Sequence, residues 1–324
     1  MAFPGIPGPL NAITDVPGVE VGHKTIIAGG SVRTGVTAIH PRGKYETHPV
    51  YAGYFSLNGN GEMTGTAWIE ESGLLQSPVL VTNTHSVGLA RDTCVRWQLE
   101  HGWPQLWFLP VVAETYDGGL NDINGFHVKP EHVMEALNSA KAGPVPEGNV
   151  GGGTGMVCYG YKGGIGTSSR AVESGTVGVL VQANHGSRHQ LRLPSGWTAV
   201  AESEEPDPAR GSIIIIVATD APLLPHQLKA LAKRAGMGLA RTGAVAALSS
   251  GDLFLAFSTG NDLSSMQSRF TVESVGYKEC TPLYEAAVDA TEEAIINALA
   301  AAETMIGKGG RVVQAARFVA PRVH

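Results

Sequence analysis

The stretch from Gly243 to Asn261 reads GAVAALSSGDLFLAFSTGN and mixes strand-like with loop-like residues. An apolar run (244–248) is interrupted by the four residues SSGD (249–252), and a second apolar run (253–257) follows at once. No Asn-Gly pair marks a two-residue hairpin between the two runs. The pattern therefore predicts two strands joined either by a tight turn or bulge, or by a backbone segment that something must approach closely.

The composition is that of a large folded protein with little surface charge. The chain has 324 residues, of which 43% are hydrophobic and 16% charged, with a formal net charge of -6 and a pI near 6.0. So low a charged fraction indicates surface hidden between layers or between subunits, and we expect a homo-oligomer. The acidic balance argues against nucleic acid and anionic membranes as partners.

No segment predicts export or membrane insertion. The N-terminal sequence MAFPGIPGPLNAITDV lacks a basic region followed by an apolar one, so no secretory signal is predicted. The longest apolar candidate, Ser212 to Ala218, is far shorter than the ~20 residues of a membrane-spanning helix. The three cysteines (94, 158 and 280) form no CxxC pair, which favours buried free thiols. These features predict a soluble, cytoplasmic protein.

Many short strands and four helices follow one another without a composition break, which predicts a single layered α/β domain. Periodicity predicts strands at 19–21, 35–39, 51–57, 66–70, 78–82, 106–113, 176–183 and 212–218. It predicts helices at 87–100, 131–142, 225–241 and 282–305.

Three polar or glycine-rich segments are candidates for a site. NGNGEMTG (58–65) is either a long hairpin connection or a pocket wall. ETYDGG (114–119) follows a predicted strand, where catalytic groups of layered α/β folds usually lie. The glycine-rich stretch 148–170 matches neither GxxxxGK(S/T) nor GxGxxG. It predicts either a glycine-kinked pair of strands or a small anion site lined by backbone N–H groups.

A metal or cofactor site is not predicted. His185 and His189 have the i, i+4 spacing of metal ligands on a helix, but Gly186 and Ser187 between them argue against a helix there. No carboxylate lies close by in the sequence. We therefore predict neither a metal nor an organic cofactor.

Nucleophilic catalysis is possible without a histidine base. The chain contains no GxSxG elbow, so a triad of the α/β-hydrolase type is not supported. If the peptide bond before a serine is broken, that serine gains a free α-amino group close to its own hydroxyl. An α-amine has an unperturbed pKa of about 7.7–8.0, so it can act as the base near neutral pH.

Seven sequence blocks spread along nearly the whole chain carry a family resemblance. They are DVPGVEVGH (15–23), NGNGEMTG (58–65), VVAETYDGGLNDING (111–125), GGGTGMVCYGYKGGIGTSSR (151–170), GVLVQANHG (178–186), SSGDLFLAFSTGN (249–261) and ATEEAIINAL (290–299). In this order they resemble the self-processing serine peptidases of the L-aminopeptidase/D-esterase and β-peptidyl aminopeptidase group.

The resemblance implies a four-layer αββα sandwich, similar to N-terminal-nucleophile hydrolases in architecture but different in connectivity. It implies self-cleavage between Ser249 and Ser250, giving segments 1–249 and 250–324 with Ser250 as the N-terminal nucleophile. Asn184 matches the asparagine that stabilises the oxyanion. Tyr116 is similar to the tyrosine that lines the site. The chain departs from the family at Ser249, where glycine or asparagine often precedes the nucleophile.

The resemblance also implies a hydroxyl and a carboxylate that hold the amine of the nucleophile. We place them at Thr291 and Glu293 of the ATEEA block. In a regular helix these two positions point apart by about 200°, so both reach one site only if Thr291 lies at or before the helix start. Alternatively, Asp289 and Glu292 form a feature like a capping box, with Glu292 structural.

The resemblance therefore implies an aminopeptidase or amidase that acts on small peptides, amino-acid amides or esters through a Ser250 acyl-enzyme. Its expected assembly is a homo-oligomer of cleaved heterodimers. Two alternatives remain open. One is an acyltransferase of the ornithine-acetyltransferase type, which normally has a threonine nucleophile. The other is an uncleaved, non-catalytic binding protein on the same scaffold.

Overall fold

The structure is a computed structural model that describes residues 1–201, 211–264 and 269–321. These residues contain five α-helices: α1 (Thr66–Ser72), α2 (Val87–Glu100), α3 (Pro130–Ser139), α4 (Pro225–Arg241) and α5 (Cys280–Ala300). No helix in the described part is long and apolar enough to cross a membrane.

The same residues form sixteen strands, several of them only two residues long. They are β1 (Glu20–Ala28), β2 (Val32–His40), β3 (Val50–Gly59), β4 (Leu74–Leu75), β5 (Val79–Asn83), β6 (Val111–Thr115), β7 (Val157–Cys158), β8 (Tyr161–Lys162), β9 (Gly164–Val172), β10 (Gly175–Asn184), β11 (Thr198–Val200), β12 (Ser212–Thr219), β13 (Gly251–Ser258), β14 (Met305–Ile306), β15 (Val312–Val313) and β16 (Arg317–Val319).

Two sheets stack face to face, and each carries helices on its outer side. The larger sheet has the order β4-β3-β13-β12-β10-β9, and the smaller has the order β1-β2-β5-β6. Helices α4 and α5 cover the larger sheet, while α2 and α3 cover the smaller one. Separate apolar cores fill the space between the sheets and the space under each helix layer. The predicted four-layer αββα sandwich is therefore confirmed.

The central strands are apolar on both sides because both faces of the larger sheet are covered. Every residue of β12, with sequence SIIIIVAT, is buried. Helix α4 buries Leu228, Leu231 and Ala235 on the stripe that the sequence predicts, and it has the predicted bounds. Since β12 and β13 are parallel neighbours, their first residues meet at the same edge of the sheet.

Three predicted strands form differently. The segment 66–70 is the start of α1, which is bracketed by Gly65 and Gly73 with positive φ angles of 74° and 72°. The predicted strand 106–113 begins only after Pro110, because proline cannot donate a ladder hydrogen bond. The apolar run 244–248 is a largely exposed loop rather than a strand.

That loop has an unusual backbone. Ala246 has a φ of 48°, in the left-handed region that a residue with a Cβ rarely adopts. Leu248 is 91% exposed. The two apolar runs around SSGD are therefore one loop and one strand, not two strands.

The packing of α5 on β9 depends on a glycine. A Cβ at Gly166 would lie 1.9 Å from the carbonyl oxygen of Ala294 in α5. We therefore expect Gly166→Ala to push the helix from the sheet and lower the free energy of unfolding by about 1–3 kcal/mol. Denaturant unfolding measures this change.

Gly88→Ala is the matched control, since Gly88 lies in α2 with no atom within 4 Å of a built Cβ. This variant should be neutral or more stable by up to about 1 kcal/mol. Equal stability of the two variants would contradict the close approach of α5 to β9.

Candidate active site

Side chains from both sheets converge where β12 and β13 begin and β10 ends. Asn184, the last residue of β10, lies directly across from Ser212, the first residue of β12. The Ser212 hydroxyl oxygen accepts a hydrogen bond of 3.2 Å from the backbone N–H of Gly251. This contact joins the start of β12 to the start of β13, immediately after Ser250.

The side-chain amide of Asn184 is held at both ends. Its Oδ1 accepts a hydrogen bond of 2.8 Å from the backbone N–H of Val157. Its Nδ2 donates to the carbonyl oxygen of Tyr116 at 3.0 Å. Because a backbone N–H must face the amide oxygen, the NH₂ group points the other way and keeps a second hydrogen for a ligand. The geometry suits the oxyanion donor that the resemblance implies.

Ser250 and Asp252 form a hydroxyl–carboxylate pair. The Ser250 hydroxyl donates to Asp252 Oδ1 at 2.6 Å. The second carboxylate oxygen, Oδ2, is buried with no hydrogen-bond partner among the described residues. Burial raises the pKa of Asp252, while the Ser250 hydroxyl and the peptide N–H of Ile213 partly offset that rise. An unsatisfied buried carboxylate oxygen beside the start of β12 is an acceptor available to a cation.

Two asparagines of the NGNGE segment hold the turn before β13. Asn58 Nδ2 donates to the carbonyl oxygens of Ala247 at 2.6 Å and Ser250 at 2.7 Å. Asn60 Nδ2 donates to the carbonyl oxygen of Ser249 at 2.8 Å. The segment is therefore a wall of the site rather than a simple hairpin connection.

Glu114 supplies a buried carboxylate from the facing sheet. Its Oε1 accepts a hydrogen bond of 3.1 Å from the backbone N–H of Glu62, and its Oε2 accepts one from the Thr84 hydroxyl. A Cβ built at Gly61 would lie 3.2 Å from Glu114 Oε1 and 3.3 Å from Gly251 Cα, so only Gly61 separates this carboxylate from the SSGD segment. Burial raises the pKa of Glu114.

Tyr116 lies at the mouth of the site. Its carbonyl oxygen binds Asn184, whereas its side chain is 49% exposed. The ring lies over Gly118, where a built Cβ would be 2.3 Å from the tyrosine hydroxyl. Tyr116 therefore contacts Asn184 through its backbone carbonyl, and the role of its side chain stays a prediction.

The structure does not bring Thr291 and Glu293 to the other residues. Helix α5 begins at Cys280, so Thr291 lies in its interior and not at its start. The Thr291 hydroxyl donates to the Ala287 carbonyl at 2.7 Å and is completely buried against α4. The condition for both side chains to reach one site is therefore not met.

Glu293 is instead part of a buried ion pair near the far end of β9. Its Oε2 lies 2.6 Å from a guanidinium nitrogen of Arg170, and its Oε1 accepts a hydrogen bond from Asn11. Arg170 pairs with Val177 of β10, seven residues before Asn184 along that strand. Strand geometry separates those levels by roughly 20 Å.

The alternative of a capping box also fails. Asp289 and Glu292 lie inside α5, and both pair with Arg241 of α4. They therefore connect two helices and cap neither.

His185 lies beside the site but is poorly suited to act as its base. His185 borders a narrow cleft beside Ser250 with room of about 20 Å³, roughly one water molecule. Burial lowers the pKa of His185 to about 3, which makes its neutral ring a poor proton acceptor near neutral pH. Among the described residues, no group of three or more His, Cys, Asp or Glu side chains could hold a metal ion.

Sequence reasoning missed Ser212, and it did not single out Asp252, Asn60 or Glu114 within the segments that it proposed for the site. Gly211-Ser212 stands where a polar, proline-bearing segment changes to a continuous apolar strand, and glycine precedes the serine. That junction is a signal the sequence contains. The contacts of Asp252, Asn60 and Glu114 join segments far apart in the chain, so local patterns could not reveal them.

Comparison with known proteins identifies the family that the sequence blocks resemble. The model of peptidase family S58 matches residues 11–313. The chain is 52% identical over 343 residues to the β-peptidyl aminopeptidase BapA of Sphingosinicella microcystinivorans, covering 96% of this chain and 87% of the relative. The β-peptidyl aminopeptidase BapA of Sphingosinicella xenopeptidilytica is 45% identical, covering 94% of this chain and 84% of the relative.

Solved structures agree in fold. A β-aminopeptidase from a Burkholderia species superposes with a TM-score of 0.88 at 46% identity, covering 97% of this chain and 93% of that one. The L-aminopeptidase D-Ala-esterase/amidase of Ochrobactrum anthropi gives a TM-score of 0.89 at 47% identity with the same coverage. The latter is described as a new variant among the Ntn hydrolase fold.

The position of Glu293 yields a prediction. We expect Glu293→Gln to leave the kcat for an aminoacyl p-nitroanilide within about threefold of wild type, because the residue is far from Ser212 and Ser250. The variant should lose roughly 3 kcal/mol of unfolding free energy, because Arg170, 2% exposed, keeps an uncompensated buried charge.

Glu135→Gln is the control, since it removes one partner of a surface pair with Lys24 and should cost at most about 1 kcal/mol. A hundredfold loss of kcat in Glu293→Gln, with the fold intact, would restore Glu293 to the catalytic machinery.

Proposed function

The chain belongs to peptidase family S58 and is an aminopeptidase, and we propose that it is a self-processing serine enzyme that releases N-terminal residues from peptides, amides or esters. The main support is the junction of Ser212, Asn184 and the Ser250–Asp252 pair at one edge of the larger sheet. A nucleophilic hydroxyl, an amide donor and a hydroxyl–carboxylate pair meet there without a histidine.

Two serines compete for the role of nucleophile, and the geometry favours Ser212 over Ser250. Ser212 lies across from Asn184, so its hydroxyl and the amide donor start on neighbouring strands. The Ser250 hydroxyl is already engaged by Asp252. Glycine precedes Ser212, in keeping with the family pattern from which Ser249 departs.

A cut before Ser212 also gives Ser250 and Asp252 the supporting role that the resemblance implies for a hydroxyl and a carboxylate. Asp252, whose buried Oδ2 has no hydrogen-bond partner among the described residues, pairs with Ile213 across the β12–β13 ladder, one residue from the amine that cleavage would create. An ammonium group on Ser212 would satisfy that oxygen and offset the cost of burying the carboxylate.

The processing step then proceeds as an acyl shift. The Ser212 hydroxyl oxygen attacks the Gly211 carbonyl carbon and gives up its proton to a neighbouring base. The Gly211–Ser212 C–N bond breaks, and the nitrogen takes a proton to become a free amine. Water hydrolyses the resulting ester and leaves segments 1–211 and 212–324.

The mature reaction uses the same groups on a substrate. The free amine of Ser212 accepts the hydroxyl proton as the oxygen attacks the substrate carbonyl, and Asn184 Nδ2 donates to the developing oxyanion. The amine proton passes to the leaving group, and water then hydrolyses the acyl-enzyme. Ser250 and Asp252 keep the amine oriented.

Glu114 explains why a free N-terminal amine is required. Its carboxylate is buried on the other side of Gly61, with only neutral hydrogen-bond donors around it. A substrate ammonium is the partner that stabilises its charge. Glu114 thus binds the substrate amine, a role separate from that of Asp252, which holds the amine of the nucleophile.

The acyltransferase and non-catalytic alternatives receive no support from the comparisons. The relatives' names span β-peptidyl aminopeptidase and L-aminopeptidase D-Ala-esterase/amidase, so β-, L- and D-aminoacyl substrates form the panel to assay. We further propose that the cleaved heterodimers assemble into a homo-oligomer.

The site of processing is directly measurable. We expect intact mass of the purified protein to show segments 1–211 and 212–324, because Ser212 carries the attacking hydroxyl. Ser212→Ala should stay one chain without aminopeptidase activity. Ser250→Ala should slow processing and turnover by about 10- to 100-fold without moving the cut.

Segments 1–249 and 250–324, together with full activity of Ser212→Ala, would instead return the nucleophile to Ser250. A wild-type protein that stays uncleaved and hydrolyses no aminoacyl substrate would contradict self-processing altogether.

The amine-binding role of Glu114 is tested by steady-state kinetics. Glu114→Gln should raise KM for an aminoacyl p-nitroanilide by about 10- to 100-fold, since one charge-assisted hydrogen bond contributes about 1.5–3 kcal/mol. An N-acetylated substrate should resist wild-type enzyme. Glu62→Gln, an exposed neighbouring carboxylate, is the control and should leave KM unchanged. Equal KM values in the two variants would exclude Glu114 from amine binding.

A further inference from the structure

Lys162 is a fully buried cation that the proposed reaction does not use. Its Nζ donates hydrogen bonds to three backbone carbonyl oxygens: Gly163 at 2.8 Å, Met156 at 2.9 Å and Gly153 at 3.1 Å. An ammonium group has three donors, and all three are matched by acceptors of the glycine-rich segment. The backbone between Gly153 and Gly163 therefore folds around the Lys162 Nζ atom.

No carboxylate is among the described hydrogen-bond partners of Lys162, so none offsets the free-energy cost of burying its charge. Each of its three partners is a neutral carbonyl, and burial lowers the pKa of Lys162 to about 7. A methionine or leucine would fill the same volume without desolvating a charge. The three carbonyls, however, converge on a point where only a multiple donor satisfies them. The presence of lysine is therefore explained by the defined conformation that its three hydrogen bonds give to this loop.

The loop that Lys162 holds, residues 153–157, contacts Asn184. Val157 follows Met156 in the chain and pairs with Lys162 in the β7–β8 ladder. The backbone N–H of Val157 donates to Asn184 Oδ1 at 2.8 Å. The sulfur of Met156 accepts a hydrogen bond from Thr115 of the facing sheet, which closes the loop from the other side. Two hydrogen bonds, joined by the Met156–Val157 peptide bond, therefore lead from the ammonium to the amide.

The direction of that amide decides whether it can donate to an oxyanion. If the Val157 N–H moves away, the Asn184 side chain can rotate and present its oxygen to the cleft, which repels a developing negative charge. We infer that Lys162 is a positioning residue: its ammonium holds the 153–157 loop so that the Val157 N–H fixes the Asn184 amide with its NH₂ group toward the reacting carbonyl. This inference rests on the proposed role of Asn184.

A double-mutant cycle tests the coupling on processed enzyme. Asn184→Ala should lower kcat for an aminoacyl p-nitroanilide by about 100- to 1,000-fold, as loss of an oxyanion donor does. Lys162→Met should lower kcat by about 10- to 100-fold with KM within about threefold. In the Asn184→Ala background, Lys162→Met should lower kcat no further, because the group it positions is gone.

Arg170→Met is the matched control, since it also replaces a buried cation with methionine but lies near the far end of β9. It should reduce stability while leaving kcat of the folded, processed enzyme unchanged. An unchanged kcat in Lys162→Met, or an equal fold-loss in both backgrounds, would overturn the inference. Absence of hydrolysis by the wild type would instead contradict the proposed function.

Should Lys162→Met fail to accumulate, Lys162→Gln keeps part of the donor set and provides the same cycle. A crystal structure of either variant gives an independent outcome. Rotation of the Asn184 side chain away from Val157 supports the positioning role, and an Asn184 amide unmoved despite an altered 153–157 loop refutes it.

Discussion

The parallel pairing of β12 with β13 is the constraint on which the rest of the site depends. It places Ser212 and the Ser250–Asp252 pair, which are remote in the chain, at one edge of one sheet. The antiparallel partner β10 ends at the same edge and adds Asn184. Because strand pairing fixes each residue to a level of the sheet, these groups meet without further ordering of flexible loops.

The smaller sheet, stacked on the larger one, contributes further groups to the site. The facing strand β6 and the turn after it contribute Glu114 and the Tyr116 carbonyl, so the site lies in the cleft between two sheets. Burial there raises the pKa of Asp252 and of Glu114, and it lowers that of Lys162.

Sequence reasoning succeeded where a signal was local or where many blocks carried it together. The bounds of α4 follow from its apolar stripe, and the αββα sandwich follows from seven ordered blocks. It placed the expected hydroxyl and carboxylate at Thr291 and Glu293, whereas Ser250 and Asp252 have the same two-residue spacing beside the start of β12. Residue type and spacing could not distinguish the two pairs.

By itself, the sequence determined the family, the class of fold and the aminopeptidase activity, since seven ordered blocks along nearly the whole chain carry the family resemblance. Only the tertiary structure decided which groups share the cleft. Contacts such as Gly251 with Ser212, or Val157 with Asn184, join residues whose separation in the chain carries no information about distance. The proposed role of the SSGD segment (249–252), for example, follows from its position beside the start of β12.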